Sequence, residues 1–529
     1  MGSIEELKAA LTLGRIDRRT FMSGAVAMGL SAAIGTSVAN AVAAATPKRG
    51  GNLRIGLGSG STTDNLDPAT VDSTFNKVWS FGSLRNALTV IEADGSLKPE
   101  LTSSWETSDA KIWRFEIRKG VEFHNGKTLE PADVVASINY HRGEATKSGA
   151  KALLKEVADV KADGQSVIIT LDAANADFAF ILADYHFGIC PSKDGVIDWA
   201  SGVGTGPYKF EAYEPGVRAI GARNENYFKA DAAYADSIEL LTIQDPTARA
   251  TALMTNSIDV MDRCDPKLVA VLRNRPEIII TEVAGNLHYS MPMDTSVAPF
   301  DTLDVRLALK YAIDREAILK SILRGHGVLG NDHPIGRGNR YLNTSLPQRH
   351  YDPEKARFHL KKAGAEGLTV SLSAADAAFA GAVDAAVLVA EQAKQSGITI
   401  NVVREPNDGY WSNVWLKKPW SMSYWSGRAT EDLMFSSGYS KNSDWNETHW
   451  SNERFETLLV AARAELDDAK RRDMYWEMQK IVSDDGGAII PVFASYVGAH
   501  SSKVGHPDVI GSNYDMDGDK ITERWWINS

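Results

Sequence analysis

Residues 369–403 constrain the fold more than any other stretch. "TVSLSA" (369–374) alternates like a strand, "VDAAVLVAEQAKQSG" (383–397) spaces its apolar residues at i, i+3 and i+4 and closes on Gly397, and "ITINVV" (398–403) follows at once as a second strand. Strand, helix and strand in that order make a βαβ unit, so an α/β body with a partly parallel sheet is expected. At 529 residues the chain is about three times the usual domain length, which calls for two or three packed bodies.

Other stretches fit the same class. "NLRIGL" (52–57) and "SVIITL" (166–171) read as strands, the first followed by a polar, turn-rich loop over 58–68. "IWRFEIRKG" (112–120) alternates as an edge or surface strand does. "DVRLALKYAIDREAIL" (304–319) sets Val305, Leu309, Ala312 and Ile313 on one helical stripe behind an Asp304 cap. "YDPEKARFHLKKAG" (351–364) has Asp352 as cap and Pro353 at the first helical position. "AIIPVF" (488–493) reads as a buried strand and "RWWIN" (524–528) as a short terminal one.

The N-terminus carries a processing signal. Arg18 and Arg19 precede a segment without charge until Lys48, rich in Gly, Ala and Ser and ending in small residues such as Ala41, Ala43 and Ala45. Basic start, mild apolar core and small-residue end describe a secretory signal, and the paired arginines resemble the twin-arginine type that exports folded cargo through its translocase. The competing reading is an uncleaved anchor. Gly, Ala, Ser and Thr gain much less on leaving water than Leu or Ile, so removal is expected, leaving a soluble periplasmic chain.

Net charge is −11 and no basic stripe with interleaved aromatics is present, so nucleic acid is not an expected partner. Cys190 and Cys264 stand alone; pairing in an oxidising compartment and burial as small hydrophobes are equally open. "GVEFHNGKT" (120–128) has five residues between its glycines where a phosphate-cradling loop needs four, and reads as a β-turn. "DMDGDKITE" (515–523) places its Gly too early for a calcium loop; a solvated acidic turn is the leading reading, with structural Ca²⁺ as the alternative. No nucleophile elbow, zinc pair or C-x-x-C occurs, and the His residues lack metal-holding spacing. A binding protein without cofactor is expected over a twin-arginine-exported cofactor enzyme.

Five ordered stretches together resemble one family: "FHNGKTLEPADVVASI" (123–138), "GTGPYKFEAYEPG" (204–216), "RNENYF" (223–228), "VRLALKYAIDREAIL" (305–319) and "YDPEKA" (351–356). They are similar to the peptide/nickel-type, family 5 solute-binding proteins of bacterial ABC importers, over about residue 51 to the end. The resemblance implies a two-lobed, class C periplasmic binding protein fold. It puts the export signal at 1–45 and the first lobe at 46–85, 200–290 and 492–529. A subdomain is inserted at 86–199, the second lobe is 291–491, and hinge strands lie near 289–293 and 490–493. It also implies a monomer that captures a small peptide or peptide-like cationic solute and delivers it to membrane permease subunits, whose ATPase hydrolyses ATP. A receptor for a non-peptide amine, opine or glycoside is the alternative.

The same resemblance nominates site residues. "SMSYWSGRATED" (421–432) would run along the cleft, with Glu431 and then Asp432 binding the solute's amino group. Arg428 would either take a carboxylate or clamp Glu431, and Trp425 would be a stacking wall. Six of the 13 Trp fall between 411 and 450, more than one lobe's core ordinarily uses; Trp411 and Trp415, at helical spacing, are expected in the core. Thr63, Asp64 and Asn65 are first-lobe candidates, against a turn-forming role before Pro68. Asp376 stands where dipeptide-binding relatives carry an Arg for the peptide carboxylate, which implies either a slipped alignment or a second cation on the solute. No metal bound directly by the protein is expected.

Overall fold

A large sheet runs through both halves of the molecule. In the computed structural model, which describes residues 47–407 and 409–528, the parallel neighbours of Asn52–Leu57 are Ser237–Thr242 and Val260–Met261. Arg218–Arg223 and Tyr208–Glu214 extend the sheet beyond Ser237–Thr242. Val260–Met261 pairs with Ala488–Ser501, which pairs antiparallel with Ile278–Pro292; Ser423–Trp425 closes that edge, and Gly327–Leu329 also pairs with Ala488–Ser501. The stretch 1–45 expected to be an export signal, with Arg18 and Arg19, lies outside the described residues. Among the described residues, no helix is long and apolar enough to cross a membrane.

The two longest strands link separate cores. At one end Ile278, Val497 and Ala499 pack with Leu253, Ile258 and Met261. At the other, Met291, Met293, Ile489 and Val492 join the core of Leu309, Leu372, Val389 and Trp420. Between them the pairing register breaks twice, from Ala284 to His288 and from Tyr289 to Met291. Pro491 lies opposite the second break and has no N–H to give a ladder. The first lobe also holds a core around Leu53, Ile55, Trp79 and Tyr208, and the second lobe one around Phe435, Phe455, Tyr475 and Ile490.

The βαβ unit forms as the sequence predicts: Thr369–Ala374 pairs parallel with Thr399–Arg404, and the helix Ala382–Lys394 connects them. Asp352 accepts from the Lys355 N–H, Pro353 takes the first helical position, and Gly364 ends that helix at φ 65°. Two expectations change. The helix predicted over 304–319 is two, Leu303–Tyr311 and Arg315–Ser321, because the Asp314 carboxylate accepts from the Ala317 N–H and starts a new helix. Ile112–Ile117 is an interior strand of the inserted subdomain's sheet, between Thr102–Glu106 and Ser166–Leu171. Its alternation records one buried face, with Trp113, Phe115 and Ile117 in the subdomain core, and not an edge.

The inserted subdomain touches the second lobe directly. The Ala176 N–H donates to the Arg463 carbonyl at 2.7 Å, and Arg471 pairs with Asp177 at 2.7 Å with both side chains about 5% exposed or less. Arg463 also approaches Glu156 at 3.5 Å, and Leu433 packs on the subdomain core. Cys190 and Cys264 are free, buried thiols that belong to different cores.

Candidate functional site

The strand Ser423–Trp425 brings the site together. It pairs with 288–290, with His288 opposite Trp425, then turns through Gly427 at φ 84°. A Cβ there would lie 2.3 Å from that of Asn286, so only glycine fits this turn. The next carbonyl, of Arg428, accepts from Asn286 Nδ2 at 3.3 Å and Asn339 Nδ2 at 3.1 Å. Asn286 is itself buried, accepts from the Gly338 N–H, and stands in the first register break. Two asparagines thus fix the backbone that carries Arg428.

Beyond this turn, Trp411, Trp415, Tyr424, Trp425, Ser426, Arg428 and Trp445 line a cavity of about 200 Å³. Neighbouring rings meet edge to face: Trp411 with Trp415 at 6.0 Å, Trp411 with Tyr424 at 5.6 Å, Trp415 with Trp445 at 6.3 Å and Trp425 with Trp445 at 6.1 Å. Trp411, Tyr424 and Trp445 keep 39%, 41% and 48% of their surface exposed, an apolar patch of the kind that marks a binding groove. The expected helix through Trp411 and Trp415 stops at Asn413, and Leu416 turns to φ 57°, so both indoles line the pocket and not the core.

One carboxylate organises the indoles. Glu447 accepts from Trp415 Nε1 at 2.5 Å, Ser423 Oγ at 2.5 Å and Trp425 Nε1 at 2.8 Å. Burial raises its pKa, and these three donors pull it back toward the charged form. Glu447→Gln presents an NH2 group to donors that need an acceptor. It is expected to cost about 1–3 kcal/mol, read as a lower melting temperature and an altered near-ultraviolet circular dichroism of the indoles.

Arg428 caps the cavity. Its guanidinium lies 5.1 Å from the Trp425 ring centre and 6.0 Å from that of Trp445, and Nη1 donates to the Gly427 carbonyl at 2.7 Å. Among the described residues it has no ion-pair partner, and it does not clamp Glu431. Burial lowers its pKa, opposed by Tyr514, Tyr185 and Asp184, all from the first-lobe side. Arg428 thus lies within charge range of residues 184, 185 and 514. Beside the two tyrosines, Lys77 Nζ sits 4.2 Å above the Tyr185 ring and 5.7 Å from the Tyr514 ring.

The other nominated residues lie elsewhere. The helix Glu431–Gly438 begins at Thr430, whose hydroxyl accepts from the Leu433 N–H. Glu431 is buried, accepts from the Tyr341 N–H at 2.5 Å, and has its pKa pushed up to about 7, chiefly by burial. Asp432 accepts from Arg463 Nε at 3.0 and 3.1 Å, and burial raises its pKa to about 6 against the pull of Arg463. Both carboxylates look toward the subdomain contact, and neither lines the aromatic cavity. Asp376 is exposed and reaches only the Val383 N–H, at 3.4 Å.

In the first-lobe loop, Asp64 accepts from the Ser61 N–H and Ser73 Oγ, and Asn65 accepts from the Asp67 N–H and Thr70 Oγ1. Thr63 meets Ser61 Oγ at 2.7 Å. Near the C-terminus Asp517 accepts from the Gly511 N–H, Arg524 and Trp525, and Asp515 lies 3.7 Å from Arg263. Among the described residues, no group of three or more His, Cys, Asp or Glu side chains is arranged to hold a metal. Sequence reasoning did not nominate Tyr424, Trp445, Glu447, Lys77, Tyr185 or Tyr514; the crowding of Trp between 411 and 450 pointed toward the first three alone.

Comparison with known proteins places the chain among relatives. The chain is 26% identical over 440 residues to the dipeptide-binding protein of Escherichia coli strain K12, covering 74% of this chain and 80% of that protein. It is 30% identical over 300 residues to heme-binding protein A of Haemophilus influenzae, covering 51% and 54% respectively. Among solved structures, the periplasmic binding protein DppA of Helicobacter pylori, in complex with the peptide STSA, superposes with a TM-score of 0.72 at 23% identity, covering 91% of this chain and 99% of that one. The profile of the bacterial extracellular solute-binding proteins, family 5, matches residues 96–447, about two thirds of the chain, and this chain belongs to that family.

Proposed function

We propose that the chain is the periplasmic receptor of an ABC importer and closes two lobes over a small peptide or peptide-like solute. The observation that carries this reading is the half-exposed indole cavity with Arg428 over Trp425 and Trp445 in a solute-binding family member. In this reading Trp425, Arg428 and Trp445 form the second-lobe wall, and Lys77, Tyr185 and Tyr514 the first-lobe wall. Glu431, Asp432, Asp376, Thr63, Asp64 and Asn65 serve the framework around it. Bending occurs over 284–291, where both register breaks lie, between the lobe segments set out above. Closure expels water, so each polar contact acts in a lower dielectric.

Export through the twin-arginine translocase, delivery to permease subunits and ATP hydrolysis by the importer's own ATPase belong to the same reading. The peptide class is supported by the dipeptide-binding relative and the peptide-bound structural neighbour, while the heme-binding relative keeps the solute a class and not a compound.

Thermal shift against di- and tripeptides, amines, opines and oligosaccharides tests it. A peptide at a hundredfold excess over its Kd is expected to stabilise the protein by about 2.7 kcal/mol without turnover. Trp425→Ala is expected to weaken the best peptide about tenfold, the ~1–2 kcal/mol of a desolvated stacking contact. Response to an opine or sugar alone would overturn the peptide class, and a cofactor spectrum with turnover would overturn the receptor.

A further inference from the structure

Among the described residues, Lys77 holds its ammonium against ring faces and makes no ion pair or side-chain hydrogen bond. Its Nζ lies 4.2 Å from the Tyr185 ring centre and 5.7 Å from that of Tyr514, and the two rings meet edge to face at 5.6 Å and 76°. Carboxylates back the corner that the rings form. Asp184 and Asp519 both feel the Lys77 charge, the Tyr514 hydroxyl lies 3.5 Å from Asp184 Oδ2, and Asp519 Oδ2 is buried without a hydrogen-bond partner. Lys77 opens a π-helix, Lys77–Ser83, whose end has the Leu84 N–H donating to the Trp79 carbonyl five residues back. This helix packs so closely on Asp519 that a Cβ at Gly82 would lie 1.9 Å from the Asp519 carbonyl oxygen. Wide turns of this kind are rare and gather at functional sites. Two ring faces with carboxylates behind them make a receptor for a cation, and the protein's own lysine fills it.

We propose that Lys77 is an internal plug: its ammonium occupies the Tyr185–Tyr514 corner in the empty protein and is displaced by a cationic group of the solute, ammonium or guanidinium. The inference rests on the receptor reading above and deepens it by placing a competitor for the solute inside the first-lobe wall. Exchange keeps the count of charges. A second cation beside Lys77 would meet like charge from Lys77 and from Arg428, which lies within charge range of both tyrosines. Once Lys77 leaves, the incoming cation takes over its balance with Asp184 and Asp519, and with Asp72 and Asp515 farther off. Nothing but ring faces and field holds the lysine, and its half-buried, flexible stem lets the ammonium return to water. A lone amine gains nothing by trading places with an equivalent group already tethered there. Only a solute anchored elsewhere in the cleft presents its cation at a high enough effective concentration to win.

Butylammonium and butanol, alike in shape and different in charge, test the plug by calorimetric titration into the full chain and into Lys77→Met, which keeps the stem and removes the charge. Butylammonium is expected to bind Lys77→Met at least about tenfold more tightly than the wild type, the factor a desolvated cation–π contact supplies, while butanol treats the two alike. Adding Tyr185→Leu to Lys77→Met should erase the gain. A second measurement needs only the wild type, so it holds even where Lys77→Met does not fold. After isotope-labelled dimethylation of the lysines, which keeps their charge, the Lys77 methyl resonance is assigned by its loss in Lys77→Arg. It should start upfield under the ring currents and move to the position of exposed lysines at high butylammonium. Equal affinity of butylammonium for the wild type and Lys77→Met, a gain shared by butanol or kept in the Tyr185→Leu variant, or a resonance that never leaves the rings would overturn the inference. Any of these in a protein that peptides still stabilise leaves the receptor reading standing; a gain in Lys77→Met with no stabilisation by any peptide does the reverse.

Discussion

Asp177→Ala is expected to destabilise the protein by about 3–5 kcal/mol, the cost of stripping one partner from a buried ion pair. Arg471 would keep only the bond from its Nε to the Ala462 carbonyl, at 3.0 Å, while remaining buried. Asp177 belongs to the inserted subdomain and Arg471 to the helix Asp468–Asp485 of the second lobe, so the loss falls on the contact between bodies and not inside one core. Small-angle scattering should show a larger radius of gyration for the variant without solute, and the denaturation midpoint should drop. An unchanged radius and midpoint would mean that the pair is neutral to lobe contact.

Glu431→Gln has the second large effect, and its sign depends on pH. In the folded protein the Glu431 pKa is raised to about 7, mainly by burial, above the ordinary value of 4.5. Protonated Glu431 therefore favours the fold fully below about pH 4.5, and that contribution is lost as pH rises through 7. A rise of that size corresponds to about 3 kcal/mol at pH 8, at roughly 1.4 kcal/mol per unit. Gln keeps an oxygen for the Tyr341 N–H and carries no charge, so the variant should melt higher than the wild type at pH 8 and about equally at pH 5. Solute affinity should stay the same, because the carboxylate lies outside the cavity. A variant less stable at pH 8, or one that has lost solute binding, would refute this account.

What could be read from the sequence was mostly local. The βαβ unit was legible because its helix is amphipathic and is followed, three residues past its last turn, by Gly397 at φ 76°. The helix after Asp352 was legible because cap, proline and closing glycine lie within one segment. The break at Asp314 was not, since the apolar stripe of Val305, Leu309, Ala312 and Ile313 runs straight across it and a new cap looks like one more polar residue. Trp411 and Trp415 misled for a related reason: helical spacing says nothing about where the helix stops. What Glu431 and Asp432 touch lies 90 and 31 residues away in the chain, so their burial and partners depend on tertiary packing that no local pattern encodes. The crowding of Trp, by contrast, marked the segment that lines the cavity, where Trp411 and Trp445 stay exposed while Trp420 and Trp450 are buried.

Asn286 occupies the gap in the strand pairing and holds, through one amide group, both the Gly338 N–H and the carbonyl of Arg428. In the proposed receptor, flexing of the strands and the hold on cargo would be two readings of one equilibrium, each shifting the other by the same factor. A membrane complex that pries the halves apart would loosen the passenger without ever touching it.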